Sequence, residues 1–335
     1  MGINLPWTIL HARLHQTLRD RSLLPAGDRC LVAVSGGQDS LCLIRLLLDL
    51  QTKWGWEIAI AHCNHGWRTD ADENAAHVQA LAHQWQIPYY GVATQTLPPT
   101  EAAARTWRYD QLTAIAQDHA YTQVATGHTA SDRAETLLYN LVRGAGMDGL
   151  QALTWCRPLS DRIQLVRPLL AMTREETARF CHERDLPIWQ DSSNSDLHYA
   201  RNRIRHTLLP LLTEQINAQA EGHLAQTAEL LRADVEYLSH LAEQLWHQAR
   251  EADEQGRAAR LNRTTLQASP LALQRRVMRL HLQALSIPAP SYHQIEKLVA
   301  LIWAPNRSQT DPLPGGAIAR VEHPWIVITS RDATP

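Results

Sequence analysis

The sequence predicts a doubly wound α/β domain built on a mainly parallel sheet, followed by a smaller, mostly helical domain that ends in a short β element. Three observations predict it. Short apolar runs alternate with helical ones as far as about residue 212. The apolar run 30–34 stops at a Ser-Gly-Gly turn that opens directly into Leu41 and a further apolar stretch. Beyond 212 the spacing becomes helical, with Leu224, Ala228, Leu231, Val235, Leu238, Ala242 and Leu245 on one stripe. At 335 residues, 44% hydrophobic and 20% charged, the chain is long enough for two domains, taken as 1–212 and 213–335.

The elements follow in order. The strand 30–34 feeds a helix through the turn at Gly36 and Gly37. The run 56–61 predicts a strand and 70–86 a helix, 88–93 a strand and 100–119 a helix, 122–126 a strand and 130–143 a helix. In such sheets ligands bind at the carboxyl ends of the strands. The polar clusters fall there: 35–40, 62–68 and 127–135. The long second-domain helix runs to the polar stretch 251–256, and two more helices are predicted over 269–285 and 291–303. In the tail, turn chemistry at 312–316 precedes strand-like runs at 317–321 and 325–329, either side of His323 and Pro324. No internal repeat or low-complexity tract is found.

Composition excludes several classes. No charged segment followed by an apolar one opens the chain and no apolar run approaches a membrane span, so a cytoplasmic protein without a membrane partner is expected. Five cysteines are scattered without a C-x-x-C pair, which suggests neither a disulfide framework nor a zinc or iron–sulfur site. A formal net charge of −2 argues against nonspecific coating of nucleic acid and leaves room for a local basic face. Only Lys53 and Lys297 are lysines among 32 basic residues, so any RNA contact is led by arginine.

Ser35, Gly36, Gly37, Gln38, Asp39 and Ser40 place backbone amides at the mouth of a helix, the geometry of an anion site, read here as phosphate. No Walker-type loop with its lysine occurs. Phosphate charge then falls to amides, the hydroxyls of Ser35 and Ser40, arginine, and Mg2+ held by Asp39. The plainer alternative is an ordinary turn with Asp39 or Ser40 as helix cap. At 62–65, His62, Cys63 and His65 fit no usual zinc spacing and have no fourth ligand nearby. Glu101, Arg105 and Arg108 share a helical face, which a surface Glu101–Arg105 pair worth a few tenths of a kcal/mol would explain. Thr129 and Asp132 form a capping box, and Glu135 suits a helix N-terminus. Arg201 and Arg205, four apart, form either a solvated basic face or an RNA contact.

The long-range order of motifs is more specific. Residues 35–40, then Gly127, His128, Asp132 and Glu135, then Arg143-Gly144 to Gly149-Leu150, then Arg167-Pro168, then Asp191, Asn194, Arg201, Asn202, Arg203 and Arg205, and finally Pro210 occur in sequence. This series resembles the tRNA(Ile)-lysidine synthetases of the N-type ATP pyrophosphatase, or PP-loop, superfamily. The match runs from about Arg29 to Leu212 and continues more weakly to the Leu313-Pro-Gly-Gly tail. The chain resembles a shorter member without the extra C-terminal domain of others. The segment His128-Thr-Ala-Ser departs from the family's usual His-His pair and leaves Asp132 and Glu135 in place.

The resemblance implies ATP-dependent adenylation of O2 of the wobble cytidine in an isoleucine tRNA with a CAU anticodon. The side-chain amine of free lysine then attacks C2, forming lysidine with release of AMP and pyrophosphate and changing codon specificity from AUG to AUA. It implies ATP and Mg2+, with Ser35, Gly36, Gly37, Gln38, Asp39, Ser40, Ala33, Ala61, Gly127 and His128 toward the nucleotide and Asp39 toward the metal. Asp39, Arg108, Asp132 and Glu135 carry the catalytic expectation, Asp132 and Glu135 also that of lysine binding, and Arg105, Arg201, Asn202 and Arg205 that of tRNA contact. The partners are the tRNA and free lysine, with a homodimer as a further expectation. Lysine, with a pKa of about 10.4, is neutral at pH 7 only at a cost of roughly 4.6 kcal/mol. A base is therefore wanted, yet carboxylates near an ammonium raise its pKa, which favours Asp132 and Glu135 as lysine binders over Asp132 as base. Three other classes share parts of this pattern. A tRNA thiolase would use paired cysteines, an amide-forming synthetase would need no tRNA face, and a non-enzymatic RNA-binding module would release no pyrophosphate.

Overall fold

The computed structural model describes residues 7–67, 69–190, 197–252, 258–287 and 290–329; Arg68, Asp191, Asn194 and the polar residues 253–256 lie outside them. Two compact units are present, Met1–Arg232 and Ala233–Pro335.

In the first unit, α1 (Ile9–Arg21) precedes β1 (Arg29–Ala33), α2 (Gln38–Trp54), β2 (Glu57–Asn64), α3 (Ala71–Gln84), β3 (Tyr89–Ala93), α4 (Glu101–Asp118), β4 (Gln123–Thr126) and α5 (Ala130–Val142). The short α6 (Met147–Leu150) leads to β5 (Cys156–Ser160), β6 (Ile163–Val166) and α7 (Arg174–Glu183). The sheet order is β3-β2-β1-β4-β6-β5, parallel except for β5, which runs antiparallel to β6 at the edge. The chain winds outward from β1 through β2 to β3, then returns to place β4 on the other side of β1. Ligands bind at this reversal of strand order. The turns after β1 and β4 therefore face one crevice.

The core explains why the turn after β1 is rigid. Leu31 and Val32 are fully buried, and so are Leu41, Leu43, Ile44, Leu46, Leu47 and Leu50 of α2. A helix buried on nearly all sides cannot slide, and each of these side chains stabilises its position by roughly 1.5–3 kcal/mol. The sequence pattern does not assign α1, α7 or the β5–β6 hairpin. β5 carries Pro158 and its residues are exposed or half-buried, so it shows no apolar alternation.

After α7 the chain forms α8 (Ala200–Arg203), a π-helical turn over Ile204–Leu208 and α9 (Leu209–Gln215). α10 (Ala220–Ala249) begins in the first unit and ends in the second. The second unit continues with β7 (Arg250–Ala252), β8 (Ala258–Asn262), α11 (Arg263–Gln267), α12 (Leu271–Ala284), α13 (Tyr292–Ala300), β9 (Ile318–Glu322) and β10 (Trp325–Thr329). Its antiparallel sheet has the order β7-β8-β10-β9, so the predicted two-stranded tail is half of a four-stranded sheet. β7 and β8 are only three and five residues long, too short to announce themselves, and Leu261 of β8 joins the apolar cluster with Val277, Met278, Leu282, Val321 and Ile326. No helix among the described residues is long and apolar enough to cross a membrane.

His281 of α12 is fully buried in this second core. Its Nδ1 accepts from Trp246 Nε1 at 3.4 Å and its Nε2 has no partner among the described residues. Burial pushes its pKa down to about 4, so the ring is neutral in the folded chain at pH 7. The unfolded chain protonates first as pH falls below about 6.5. His281 is therefore expected to cost stability on acidification between pH 6.5 and 4, on the order of 3 kcal/mol. Denaturant midpoints measured across that window should fall for the native chain and fall less for His281→Leu; equal slopes would contradict the assignment.

Candidate active site

A cleft of about 650 Å³ opens at the carboxyl ends of β1, β2 and β4. Ala33, the last residue of β1, and Ala61, its register partner in β2, line it, and their side chains are small. Ser35, Gly37, Gln38, Asp39, Ser40, Gly127, His128, Asp132, Arg108 and Arg205 also line it. Most residues expected from the sequence thus meet in one crevice, and Gly36 sits in the turn just behind it. Arg105, Glu135, Arg201 and Asn202 do not line the cleft.

The turn between β1 and α2 has Gly36 at φ +85°. A Cβ there would also lie 2.4 Å from Asn74 Oδ1, so the position admits glycine alone without displacement. The turn's carbonyls are held from behind. Asn74 Nδ2 donates to the Ser35 carbonyl at 2.9 Å, and the Trp189 amide donates to the Gly36 carbonyl at 3.0 Å. Trp189 is itself fixed through Nε1 to Asp70 at 2.9 Å. Gly37 is the N-cap of α2 and no side chain caps the helix. The plain capping alternative for Asp39 or Ser40 is thus not what the chain adopts: Asp39 lies in the first turn, and Ser40 Oγ donates to the Gly37 carbonyl at 2.8 Å. The first amides of a 17-residue helix face the cleft without a side-chain cap, as an anion site requires.

Across the crevice, β4 ends at Thr126 and Gly127. His128 Nδ1 pairs with Thr126 Oγ1 at 2.9 Å, and burial lowers its pKa to about 3, so it enters the site as a neutral ring. α5 then starts with Thr129 as N-cap. Asp132 Oδ2 accepts from the Thr129 amide and hydroxyl, both at 2.8 Å. The predicted capping box is present, and it uses only one of the two carboxylate oxygens.

The other oxygen belongs to a cluster of charge. Arg174, the first residue of α7, donates from Nε to Asp39 at 3.3 Å, from Nη1 to Glu135 at 2.8 Å and from Nη2 to Asp132 at 3.0 Å. Arg201 donates to Glu135 at 2.9 Å and to Asp132 at 3.0 Å, and Arg205 makes a two-pronged pair with Glu135 at 2.8 and 3.1 Å. Three guanidiniums thus balance three carboxylates. Burial alone would raise the Asp132 and Glu135 pKa values. For Asp132, Arg174 foremost, with Arg201 and the Thr129 amide, outweighs burial and holds the carboxyl well below its usual range; for Glu135, Arg205 and Arg174 outweigh burial and lower it. Asp39 goes the other way, because its burial outweighs Arg174 and the hydroxyl of Thr177 that donates to it.

Arg201 and Arg205 do not form a free basic face: their guanidiniums pair with Asp132 and Glu135, because a carboxylate as buried as Glu135, with no exposed side-chain surface, demands a paired cation. Nor does the Glu101–Arg105 pair form. Arg105 lies over the Tyr109 ring, its Cζ 5.2 Å from the centroid, and Arg108 lies at 5.7 Å. Sequence reasoning missed Arg174, Thr177, Asn74 and Trp189. Arg174 stands in a Thr-Arg-Glu-Glu segment, and nothing in its spacing relates it to Asp39, 135 positions earlier.

For Mg2+ the donor chemistry fits. Asp39 presents a hard oxygen at the cleft wall beside the loop amides, and Mg2+ is commonly held by one or two carboxylates plus substrate phosphates and water. Among the described residues no group of three His, Cys, Asp or Glu side chains could hold a metal on its own.

The family described as PP-loop domain matches residues 7–212, and the family described as TilS substrate binding domain matches residues 261–323. A tRNA(Ile)-lysidine synthase of Nostoc sp. is 60% identical over 333 residues, covering 96% of this chain and 97% of its own. That of Synechocystis sp. is 51% identical, covering 96% and 98%. A chloroplastic tRNA(Ile)-lysidine synthase of Zygnema circumcarinatum is 33% identical, covering 88% and 80%. Among solved structures, the U34-tRNA thiolase NcsA of Methanococcus maripaludis superposes with a TM-score of 0.55 at 16% identity, over 66% of this chain and 77% of that one, a likeness of fold.

Gly127 tests the crevice directly. A Cβ there would come within 2.8–2.9 Å of the Asp39 carbonyl and the Ser40 amide. Gly127→Ala should therefore push β4 against the phosphate turn and raise the KM for ATP by about tenfold or more, as misplacements of an ångström commonly do. An unchanged KM would show that the turn is not braced by β4.

Proposed function

The chain belongs to the tRNA(Ile)-lysidine synthase family, and we propose that its cleft activates the wobble cytidine with ATP and then delivers lysine to it. It is a carbon–nitrogen ligase that modifies tRNA. The observation that carries the finer reading is the pair of buried, charged carboxylates, Asp132 and Glu135, one helical turn apart beside an uncapped phosphate turn.

In the first step the amides of 37–40, with the Ser35 and Ser40 hydroxyls, hold the β and γ phosphates. Arg108, at the cleft wall, meets the α phosphate as O2 of the cytidine attacks it. A carbonyl oxygen leaves poorly until it is adenylated, so this step precedes amine attack. Mg2+ bound at Asp39 would supply charge neutralisation for the departing pyrophosphate. Ala33 and Ala61 leave space for the adenine, and Gly127 with neutral His128 closes the opposite wall.

In the second step the lysine ammonium is recognised by Asp132 and Glu135. Their low pKa values keep them ionised at neutral pH, which suits them to bind a cation and makes them weak proton acceptors. All four of their oxygens are already engaged by arginine or by Thr129. Lysine therefore displaces an arginine N–H when it enters, and Arg174, which also touches Asp39, is the one placed to turn toward the phosphates. We assign Arg201 and Arg205 to holding the carboxylates charged, and Arg105 to the tRNA with Asn202 nearby. Residues 1–212 would then carry catalysis and 213–335 the grip on the tRNA, in the cytoplasm where that substrate is found.

The deciding measurement is incorporation of labelled lysine into an isoleucine tRNA(CAU) transcript with Mg-ATP, against a wobble C-to-U transcript. Label confined to the native transcript is expected. Asp132→Asn should lower lysine transfer by about a hundredfold while pyrophosphate release persists. Equal loss of both steps would remove the division of labour proposed for Asp132.

A further inference from the structure

Most buried arginines of the first unit are matched by a carboxylate. Arg133 pairs with Glu229 at 3.0 Å, and Arg174, Arg201 and Arg205 pair with Asp132 and Glu135. One group is not. Arg105 and Arg108 of α4, Arg157 of β5 and Arg167 just after β6 gather around Tyr109, and none of the four has a carboxylate partner among the described residues. The Arg157 Cζ lies 4.6 Å from the Tyr109 ring centroid, closer than Arg105 at 5.2 Å or Arg108 at 5.7 Å. Arg167 is 2% exposed; its Nη1 donates to the Thr154 carbonyl at 2.6 Å and its Nε has no hydrogen-bond partner among the described residues.

Four like charges packed at one spot repel one another. Arg105 feels this directly: burial first, then Arg108, Arg201 and Arg157, lowers its pKa. The Tyr109 ring face offsets part of the repulsion by cation–π attraction, yet it brings no net charge. An anion is what such a cage lacks.

Topology says which anion. β5 and β6 stand at the edge of the sheet, and β6 is two strands from β1, which carries the phosphate turn. At roughly 4.8 Å per strand, β6 lies about 10 Å and β5, which carries Arg157, about 14 Å to the side of β1. Arg108 and Tyr109 line the cleft, whereas Arg105, Arg157 and Arg167 do not. A triphosphate seated on the turn is met by Arg108 and ends there; a phosphate reaching the outer arginines belongs to a chain that continues past the cleft.

We propose that Arg105 and Arg157, braced on Tyr109 and backed by the buried charge of Arg167, form a site for an RNA backbone phosphodiester adjoining the nucleotide held in the cleft. This deepens the reading of the substrate as a tRNA and rests on it. Planar guanidiniums held by an aromatic face present their N–H edges outward, the geometry that phosphate oxygens bind.

Arg157 is half-buried on an edge strand outside the cleft, so its replacement leaves the phosphate turn intact. Binding of the isoleucine tRNA transcript should be measured at several KCl concentrations for the native chain, Arg157→Gln and Arg105→Gln, alongside the KM for ATP. Each variant is expected to weaken tRNA binding by about fivefold at 0.1 M salt and to reduce the salt slope by about 0.7, the value for one single-stranded phosphate contact, with the KM for ATP unchanged. A raised KM for ATP with an unchanged slope would assign the cage to the nucleotide and overturn the proposal. Unchanged affinity and slope, with or without a shift in Tm, would make it a structural stack and overturn it too. If the native chain itself shows no salt-dependent binding of the transcript, the tRNA reading fails and the phosphodiester site with it; native binding with unaffected variants rejects the site alone.

Discussion

Two carboxylates taken out of water on one helix, Asp132 and Glu135, set the arrangement of everything around the cleft. An unpaired buried carboxylate costs several kcal/mol, so the fold must bring cations to them. The cations come from three later places: Arg174 at the start of α7, Arg201 in α8 and Arg205 in the π-helical turn. Pairing therefore docks three segments on α5. α7 is in turn fastened to α2, because Thr177 donates to Asp39 and Gln38 Nε2 donates to the Arg174 carbonyl and to Thr177. The phosphate turn and the carboxylates are thus registered against each other through one arginine and its helix. Removing the pair would loosen both halves of the crevice at once.

The same ledger of charge separates arginines matched by a carboxylate from arginines that are not. Arg133, which donates to the Leu153 carbonyl and to Glu229, is fully satisfied within the chain. Arg105 and Arg157 are not, and they stand on an aromatic ring at the border of the cleft. With lysine nearly absent from the chain, compensation by a carboxylate is what distinguishes one arginine from another, and composition alone does not reveal it.

Much of the α/β unit could be read from the sequence because its strands and helices obey their periods. β1 through β4 and α2 through α5 fall within a few residues of the apolar runs that predict them. The phosphate turn was legible because a positive-φ glycine after a buried strand leaves little choice. Elements without a period were not: β5 holds Pro158, and β7 and β8 are three and five residues long, too short to show one. Pairings between distant residues were invisible for a different reason. Arg201 and Arg205 at four-residue spacing look alike whether they face water, RNA or a carboxylate, and only the buried position of Glu135 decides. Asn74 and Trp189, which hold the turn from behind, act through backbone carbonyls and leave no mark in the pattern.

That last attachment has a consequence for how the protein is made. The Gly36 carbonyl is held by the Trp189 amide, a partner about 150 residues later in the chain. At ribosomal speeds of about 5–20 residues per second, Gly36 emerges roughly 8–30 seconds before Trp189 does. Throughout that interval β1 and α2 can pair with β2 and bury their leucines, while the turn between them lacks its last anchor. A ribosome stalled between those points would carry a chain whose phosphate turn still lacks its Trp189 anchor.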